Sequence, residues 1–376
     1  MNPTLTWDIF CTVIDNFGDA GVCWRLARQL ANEHGQQVQL WVDDLASLQR
    51  LYPEVLPQQD TQHCSNIEIR RWVQPFPDVR PAQVVIEAFG CELPQNYLAA
   101  MARQTPSPVW INLEYLSAES WVDGCHGLPS PHPQLPLTKY FFFPGFTPAT
   151  GGLLREKNLI TQRDALQRNP VASWESLGLV VPAADETTVS LFCYDNAPIG
   201  DLLEAWVTSV TPLRCLLPEG KALAQAAAWF GKSTVAPGDT LQQGNLTVHI
   251  LPFMPQAQYD HLLWACDCNF VRGEDSFVRA QWAGKPMVWQ IYPQQDDTHQ
   301  VKLNAFLDRY CAGLDECAAS AVRALHHNWN SKKQLRWDTF WQHRFALQAH
   351  ATAWAAHLAT QPDLASKLVI FCQNQV

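Results

Sequence analysis

Short apolar runs alternate with segments of helical periodicity along this chain, and the alternation occurs twice. In the first stretch residues 7–14, 38–42, 67–72, 84–88 and 109–113 read as strands, and 21–32 and 94–103 as helices. In the second, residues 188–193, 213–217, 246–251, 264–271 and 287–291 read as strands, with helices at 199–209 and after Asp275. Short buried strands separated by helices imply a parallel, doubly wound sheet. The expected fold is therefore α/β, with two Rossmann-like domains facing each other across a cleft. The boundaries read as an N-terminal domain at 1–150, a connection at 151–186 and a C-terminal domain at 187–376, mostly helical beyond about 300. Residues 128–148 are rich in proline, and the run Phe141-Phe142-Phe143 reads as a buried strand.

At 376 residues the chain is long enough for two full hydrophobic cores. The formal charge of −10 argues against a nucleic-acid partner, which needs a basic face. Sixteen tryptophans are scattered rather than clustered, as expected of core residues. The twelve cysteines form no Cys-x-x-Cys pair, and several lie inside apolar runs, so a zinc site or disulfide framework is not expected. No apolar run approaches the ~20 residues of a membrane span, and no signal-peptide pattern opens the chain. A cytoplasmic protein with no membrane contact is the expectation.

Three constellations sit where strands hand over to helices, the ligand-binding edge of open α/β sheets. The first is Arg272-Gly273-Glu274-Asp275-Ser276, followed by an amphipathic segment closed by Gly284 and Pro286. A glycine at the mouth of a helix leaves backbone N–H groups that, with the helix dipole, bind phosphate. Glu274 and Asp275 would repel an anion, so they are expected to face sugar hydroxyls. An ordinary capped helix remains the alternative.

The second constellation is Asp15-Asn16-Phe17-Gly18-Asp19-Ala20-Gly21, which lacks the G-x-G-x-x-G dinucleotide fingerprint. Its carboxylates could act chemically. Structurally, Asp19 could be an N-cap worth ~1 kcal/mol and Asp15 an Asx-turn residue. The third gathers loop residues: the aromatics Phe192 and Tyr194 after one strand, and Phe253 with Gln256 after another. Phe253, between prolines, suits stacking on a base, and Gln256 suits reading a pyrimidine edge; covering the core is the alternative for the three aromatics. Tyr292 and the run to Asp297 form a weaker feature, read as a solvated loop. No zinc pattern, P-loop lysine or G-x-S-x-G elbow is present.

Three segments together resemble one family: Val13 through Val22, Asn112-Leu113-Glu114-Tyr115-Leu116-Ser117-Ala118-Glu119, and Arg272 through Ser276, with Gly151-Gly152-Leu153 in the connection. The chain is similar across nearly its whole length to the bacterial protein-arginine rhamnosyltransferases that modify elongation factor P, the EarP family. The resemblance implies a GT-B glycosyltransferase fold with no required metal or cofactor. It implies dTDP-β-L-rhamnose as donor, an arginine of elongation factor P as acceptor, and inversion at the anomeric carbon.

By the same resemblance Asp19 is the general base and Asp15 its companion. Asn16, Phe17, Gly18, Tyr194, Phe253, Gln256 and Arg272, Gly273, Glu274, Asp275 and Ser276 would hold the donor. Glu114 receives no role. A sugar-nucleotide epimerase and a non-catalytic nucleotide-sugar sensor are the alternatives on the same scaffold.

Overall fold

The structure is a computed structural model that describes residues 4–14, 17–294 and 298–375. The chain divides into two compact units, Met1–Lys157 with Thr360–Val376, and Asn158–Ala359. Among the described residues no helix is long and apolar enough to cross a membrane.

The first unit is built on strands β1 (Thr6–Cys11), β2 (Gln37–Val42), β3 (Thr61–Cys64), β4 (Ile67–Arg71), β5 (Val84–Ala88), β6 (Val109–Leu113), β7 (Pro129–Pro131) and β8 (Thr138–Phe142). They form one sheet in the order β3-β4-β2-β1-β5-β6-β8-β7, parallel except where β3 and β7 pair antiparallel at the edges. Every residue of β5 and of β6 is buried, Glu87 and Asn112 among them, as in a parallel sheet covered on both faces. The helix Gly18–His34 packs on β1 and β2 through Leu26, Ala27 and Leu30. Strand β1 ends at Cys11, so residues 12–14, expected to be strand, belong to the loop. Of the Phe141-Phe142-Phe143 run, Phe142 and Phe143 are buried and Phe141 is only half-buried.

The last helix, Leu364–Gln373, belongs to this first unit, not to the second as expected. Leu364, Leu368, Val369 and Cys372 lie on one face and join the core formed by Leu26 and Leu30. Gln29 Nε2 donates to Asp363 Oδ1 at 2.9 Å beside them. Periodicity shows that a segment is a helix and which face is apolar; it does not show which sheet receives that face. Close packing also accounts for Gly151 and Gly152, the first against Phe142 of β8 and the second against this returning segment. A Cβ on Gly151 would lie 2.6 Å from the Phe142 ring, and one on Gly152 would lie 2.7 Å from the Pro362 carbonyl oxygen.

The second unit has β9 (Thr187–Leu191), β10 (Leu213–Pro218), β11 (Thr240–Gln243), β12 (Leu246–Leu251), β13 (Cys268–Arg272) and β14 (Met287–Gln290) in the order β11-β12-β10-β9-β13-β14. All pair in parallel except β11 with β12. Residues 264–271 do not form one strand: Trp264 and Ala265 end the helix Gln256–Ala265, and β13 starts at Cys268. A short apolar run fits a buried helix end as well as a buried strand.

The expected connection is likewise part of the fold. Residues 151–157 stay with the first unit, and the helices Leu159–Gln167 and Pro170–Ser176 belong to the second. Trp174 packs there against Leu216, Leu251 and Leu262. Phe270 is surrounded by Trp206 of the helix Ile199–Val207 and by Trp329 and Trp337 of the helices Glu316–Ser331 and Trp337–Trp341, whose ring centroids lie 5.0–6.2 Å from it. Most of the tryptophans are core residues, as their scatter implies, with Trp121 exposed.

Candidate active site

In the first sheet the chain passes from β1 to β2 on one side of β1, then returns to β5 on its other side. The connections after β1 and β5 therefore diverge, and that switch point is where open α/β sheets bind ligands. Phe17 occupies the N-cap position of the helix Gly18–His34, and its carbonyl accepts from Gly21 N at 2.9 Å. No side chain caps this helix.

Asp19, the second helical residue, is buried and does not serve as the N-cap. Its carboxylate turns back into the loop, where Oδ2 accepts from Ile14 N at 2.9 Å. Oδ1 accepts from the Tyr115 hydroxyl at 3.2 Å. Tyr115 follows β6, and its ring stacks on Phe89 after β5, with centroids 4.5 Å apart and planes 17° apart. Phe89 and Gly90 both have positive φ, 57° and 68°, which turns the chain sharply at the end of β5. Loops after three neighbouring strands thus converge on one carboxylate and one aromatic pair.

Asp15 and Asn16 lie outside the described residues. Glu114 accepts from Asn112 Nδ2. Tyr115 stood in a recognisable segment without a role, and Phe89 was not singled out. The Phe-Gly pair closing an apolar strand was the available signal for it.

In the second sheet the chain runs from β9 to β10 on one side and crosses to β13 on the other. The switch point lies between β9 and β13, and Arg272, the last residue of β13, stands there, buried. Its guanidinium carbon lies 4.5 Å from the Phe192 ring centroid and 4.4 Å from that of Tyr194. A planar cation between two ring faces gains roughly 0.5–2 kcal/mol per face. Tyr194 is fixed in turn, since its N–H donates to Gln290 Oε1 at 2.7 Å while Gln290 Nε2 donates to Asn196 Oδ1 at 2.9 Å. Tyr292, exposed, meets the Tyr194 ring edge-on at 5.6 Å.

Gly273, at φ 63°, turns the chain from β13 into the helix Asp275–Ala283, and its carbonyl accepts from Trp289 Nε1 at 2.9 Å. Glu274 holds the N-cap position without a side-chain cap bond. The Ser276 hydroxyl donates to the Arg272 carbonyl oxygen, so its hydrogen is directed at the backbone. Gln256, buried at the start of its own helix, donates from Nε2 to Asp275 Oδ2 at 3.1 Å. Phe253 is half-buried in the loop after β12.

Cys193 lies between the two aromatics in sequence, and burial pushes its thiol up to about 12 despite the nearby Arg272 charge. A neutral thiol is no nucleophile, so the site's chemistry is that of a cation, ring faces and a helix N-terminus. Residues 295–297, with Asp296 and Asp297, lie outside the described residues. Phe192 and Gln290 complete the arginine's surroundings and had no assigned role in the sequence reading. Residue type alone does not distinguish a strand-end aromatic that covers the core from one that sandwiches a cation.

Residues 7–373 match the profile of the family described as elongation factor P (EF-P) rhamnosyltransferase EarP. A protein-arginine rhamnosyltransferase of Pseudomonas putida is 48% identical over 99% of both chains, and one of Pseudomonas aeruginosa is 47% identical over 97% of this chain and 98% of its own. A solved structure described as the structural basis for EarP-mediated arginine glycosylation of translation elongation factor EF-P shares 36% identity, with a TM-score of 0.70, over 99% of this chain and all of its own. MurG of Acinetobacter baumannii, at 15% identity and a TM-score of 0.51 over 99% of this chain and all of its own, shares the GT-B fold.

Proposed function

We propose, for a chain that belongs to the EarP family of protein-arginine rhamnosyltransferases, that dTDP-β-L-rhamnose is its donor and one arginine of elongation factor P its acceptor. That it is a glycosyltransferase acting on protein arginine follows from the family, which sets aside the epimerase and the sensor. The observation that carries the donor assignment is the sandwiched Arg272 at the switch point of the second sheet, heading the helix Asp275–Ala283. Arg272 and the backbone N–H groups of Gly273, Glu274, Asp275 and Ser276 would hold the diphosphate. The Asp275 carboxylate faces the sugar and ribose hydroxyls, and Tyr194, Phe253 and Gln256 frame the thymine. Twelve cysteines without a disulfide fit a reducing cytoplasm.

The reaction is a single in-line displacement. A guanidinium nitrogen attacks the anomeric carbon as the bond to the diphosphate oxygen breaks, which turns a β-linked donor into an α-linked product. The leaving group carries off the bonding pair, and its growing charge is met by Arg272 and the helix N-terminus without a metal ion.

The nucleophile sets the harder requirement. Arginine's pKa exceeds 12 and that of a free aspartate is ~3.9, so full proton transfer beforehand would cost more than ~11 kcal/mol. Asp19 with Asp15 instead grips the planar guanidinium through charge-assisted hydrogen bonds and orients one nitrogen. Asp19 then takes the proton as the C–N bond forms. Its two oxygens, each engaged by a donor on the loop or on Tyr115, retain further lone-pair directions for that proton.

Intact-mass analysis of purified elongation factor P, incubated with the enzyme and dTDP-β-L-rhamnose, tests the reading. Gain of one deoxyhexose, lost when the acceptor arginine becomes Lys, is the expected result. An unchanged mass with active enzyme on another arginine protein would overturn the acceptor assignment.

A further inference from the structure

The helices Gln256–Ala265 and Asp275–Ala283 pack against each other and are joined by two polar rungs. The upper rung is Gln256 to Asp275, at the donor site. The lower rung is a buried ion pair: Arg279 Nε donates to Asp260 Oδ1 at 2.9 Å, and Arg279 Nη2 donates to Asp260 Oδ2 at 2.7 Å. Asp260 lies four residues after Gln256, and Arg279 four residues after Asp275. That spacing stacks both members of the lower rung one turn below those of the upper, on the facing sides of the two helices.

A buried ion pair seldom stabilises a fold more than apolar residues of the same volume would, and its best-attested use is to set register. The fork of a guanidinium on a carboxylate fixes both the axial offset and the rotation of two helices. Apolar packing tolerates slips along a ridge. We infer that Asp260 and Arg279 are positioning residues that hold the two helices in the one register at which Gln256 reaches Asp275, and that they thereby set nucleotide affinity without touching the nucleotide. The inference rests on the donor assignment proposed above.

The test is a double substitution, Asp260→Leu with Arg279→Met, which keeps volume and leaves no lone buried charge. The expected result is a Tm within a few degrees of wild type, at least a tenfold rise in the calorimetric Kd for dTDP, and an unchanged acceptor KM. Gln256→Ala added to that background is expected to weaken dTDP binding by less than twofold, although alone it weakens it severalfold, because both act through one contact.

A stable double variant with wild-type Kd overturns the inference, and so do fully additive effects. Should the double variant not fold, Arg279→Lys, which keeps the charge but loses the fork, is expected to raise the Kd at least threefold; an unchanged Kd overturns the inference. Wild-type protein that binds no dTDP overturns the donor assignment as well, whereas wild-type binding matched by the variants overturns the register role alone.

Discussion

Tyr115 donates its phenolic hydrogen to Oδ1 of Asp19 at 3.2 Å, while the opposite carboxylate oxygen is held by Ile14 N at 2.9 Å. The carboxylate is thus fixed at both oxygens before any substrate arrives. Asp19→Asn keeps the shape and loses the charge and the basicity. A fall in kcat of ~10²–10⁴-fold is expected, the usual worth of a positioned base. Single-turnover mass analysis measures it, and activity near wild type would remove Asp19 from the proton's path.

Tyr115→Phe removes one hydrogen bond to that carboxylate and keeps the ring stacked on Phe89. A net hydrogen bond is worth ~0.5–1.5 kcal/mol, so kcat is expected to fall roughly 3- to 10-fold with Tm unchanged. Tyr115→Leu also loses the stacking and is expected to fall further and to melt earlier. Equal activity in the two variants would show that the hydroxyl alone matters.

Arg272 lies between Phe192 and Tyr194, and a lysine cannot reproduce that sandwich. Its ammonium is a point charge with strong hydration and no plane to lay against a ring. Arg272→Lys is expected to raise the donor KM by ~10- to 100-fold, and the acceptor KM is expected to stay within twofold. Loss of one well-placed charged contact, ~1.5–3 kcal/mol, sets that range. Initial rates at varied donor and fixed acceptor concentration measure it; equal shifts in both KM values would contradict a donor-specific role.

Much of this arrangement was legible in the chain. The strands that became β5, β6 and β12 announced themselves because they are short and mostly apolar, and Gly273 with Gly284 marked both ends of a helix. What the sequence withheld was partnership. The chain beyond about 300 read as mostly helical, but nothing local says that the apolar face of Leu364–Gln373 belongs with Leu26 and Leu30, more than 300 positions earlier. Phe192 and Tyr194 were visible as loop aromatics, while the cation between them came from a strand nearly eighty residues away. Ser276 invited a phosphate, yet its hydroxyl turned to the carbonyl one turn back, as a serine in the first turn of a helix readily does.

Gly152 provides a stability test of that returning helix. At φ 75°, with the Pro362 carbonyl oxygen 2.7 Å from where a Cβ would stand, Gly152→Ala combines backbone strain with a contact that must push the C-terminal segment away. A loss of at least ~2 kcal/mol is expected, since a positive φ alone costs ~1–3 kcal/mol. Urea denaturation measures it, and the loss should shrink in a protein truncated after Ala359. An undiminished loss after truncation would place the strain elsewhere.

Acid stability follows from His326, which is fully buried in the helix Glu316–Ser331 with Nδ1 2.9 Å from the Val322 carbonyl oxygen. Burial holds its imidazole down at about 4, against 6.5 when exposed. Between those values the unfolded chain binds a proton that the folded chain does not, so stability rises with pH across this window. The contribution is complete above pH 6.5 and is lost as the pH falls toward 4. By pH 5 the loss amounts to about 2 kcal/mol, from 1.36 kcal/mol per unit over about 1.5 units. His126 is shifted down in the same direction but is partly exposed, so the wild-type curve contains both. His326→Asn keeps a donor for the Val322 carbonyl and cannot titrate. Its denaturation free energy is expected to fall by about 2 kcal/mol less than that of wild type between pH 7.5 and pH 5. Parallel curves for the two proteins would mean that His326 takes up its proton without unfolding.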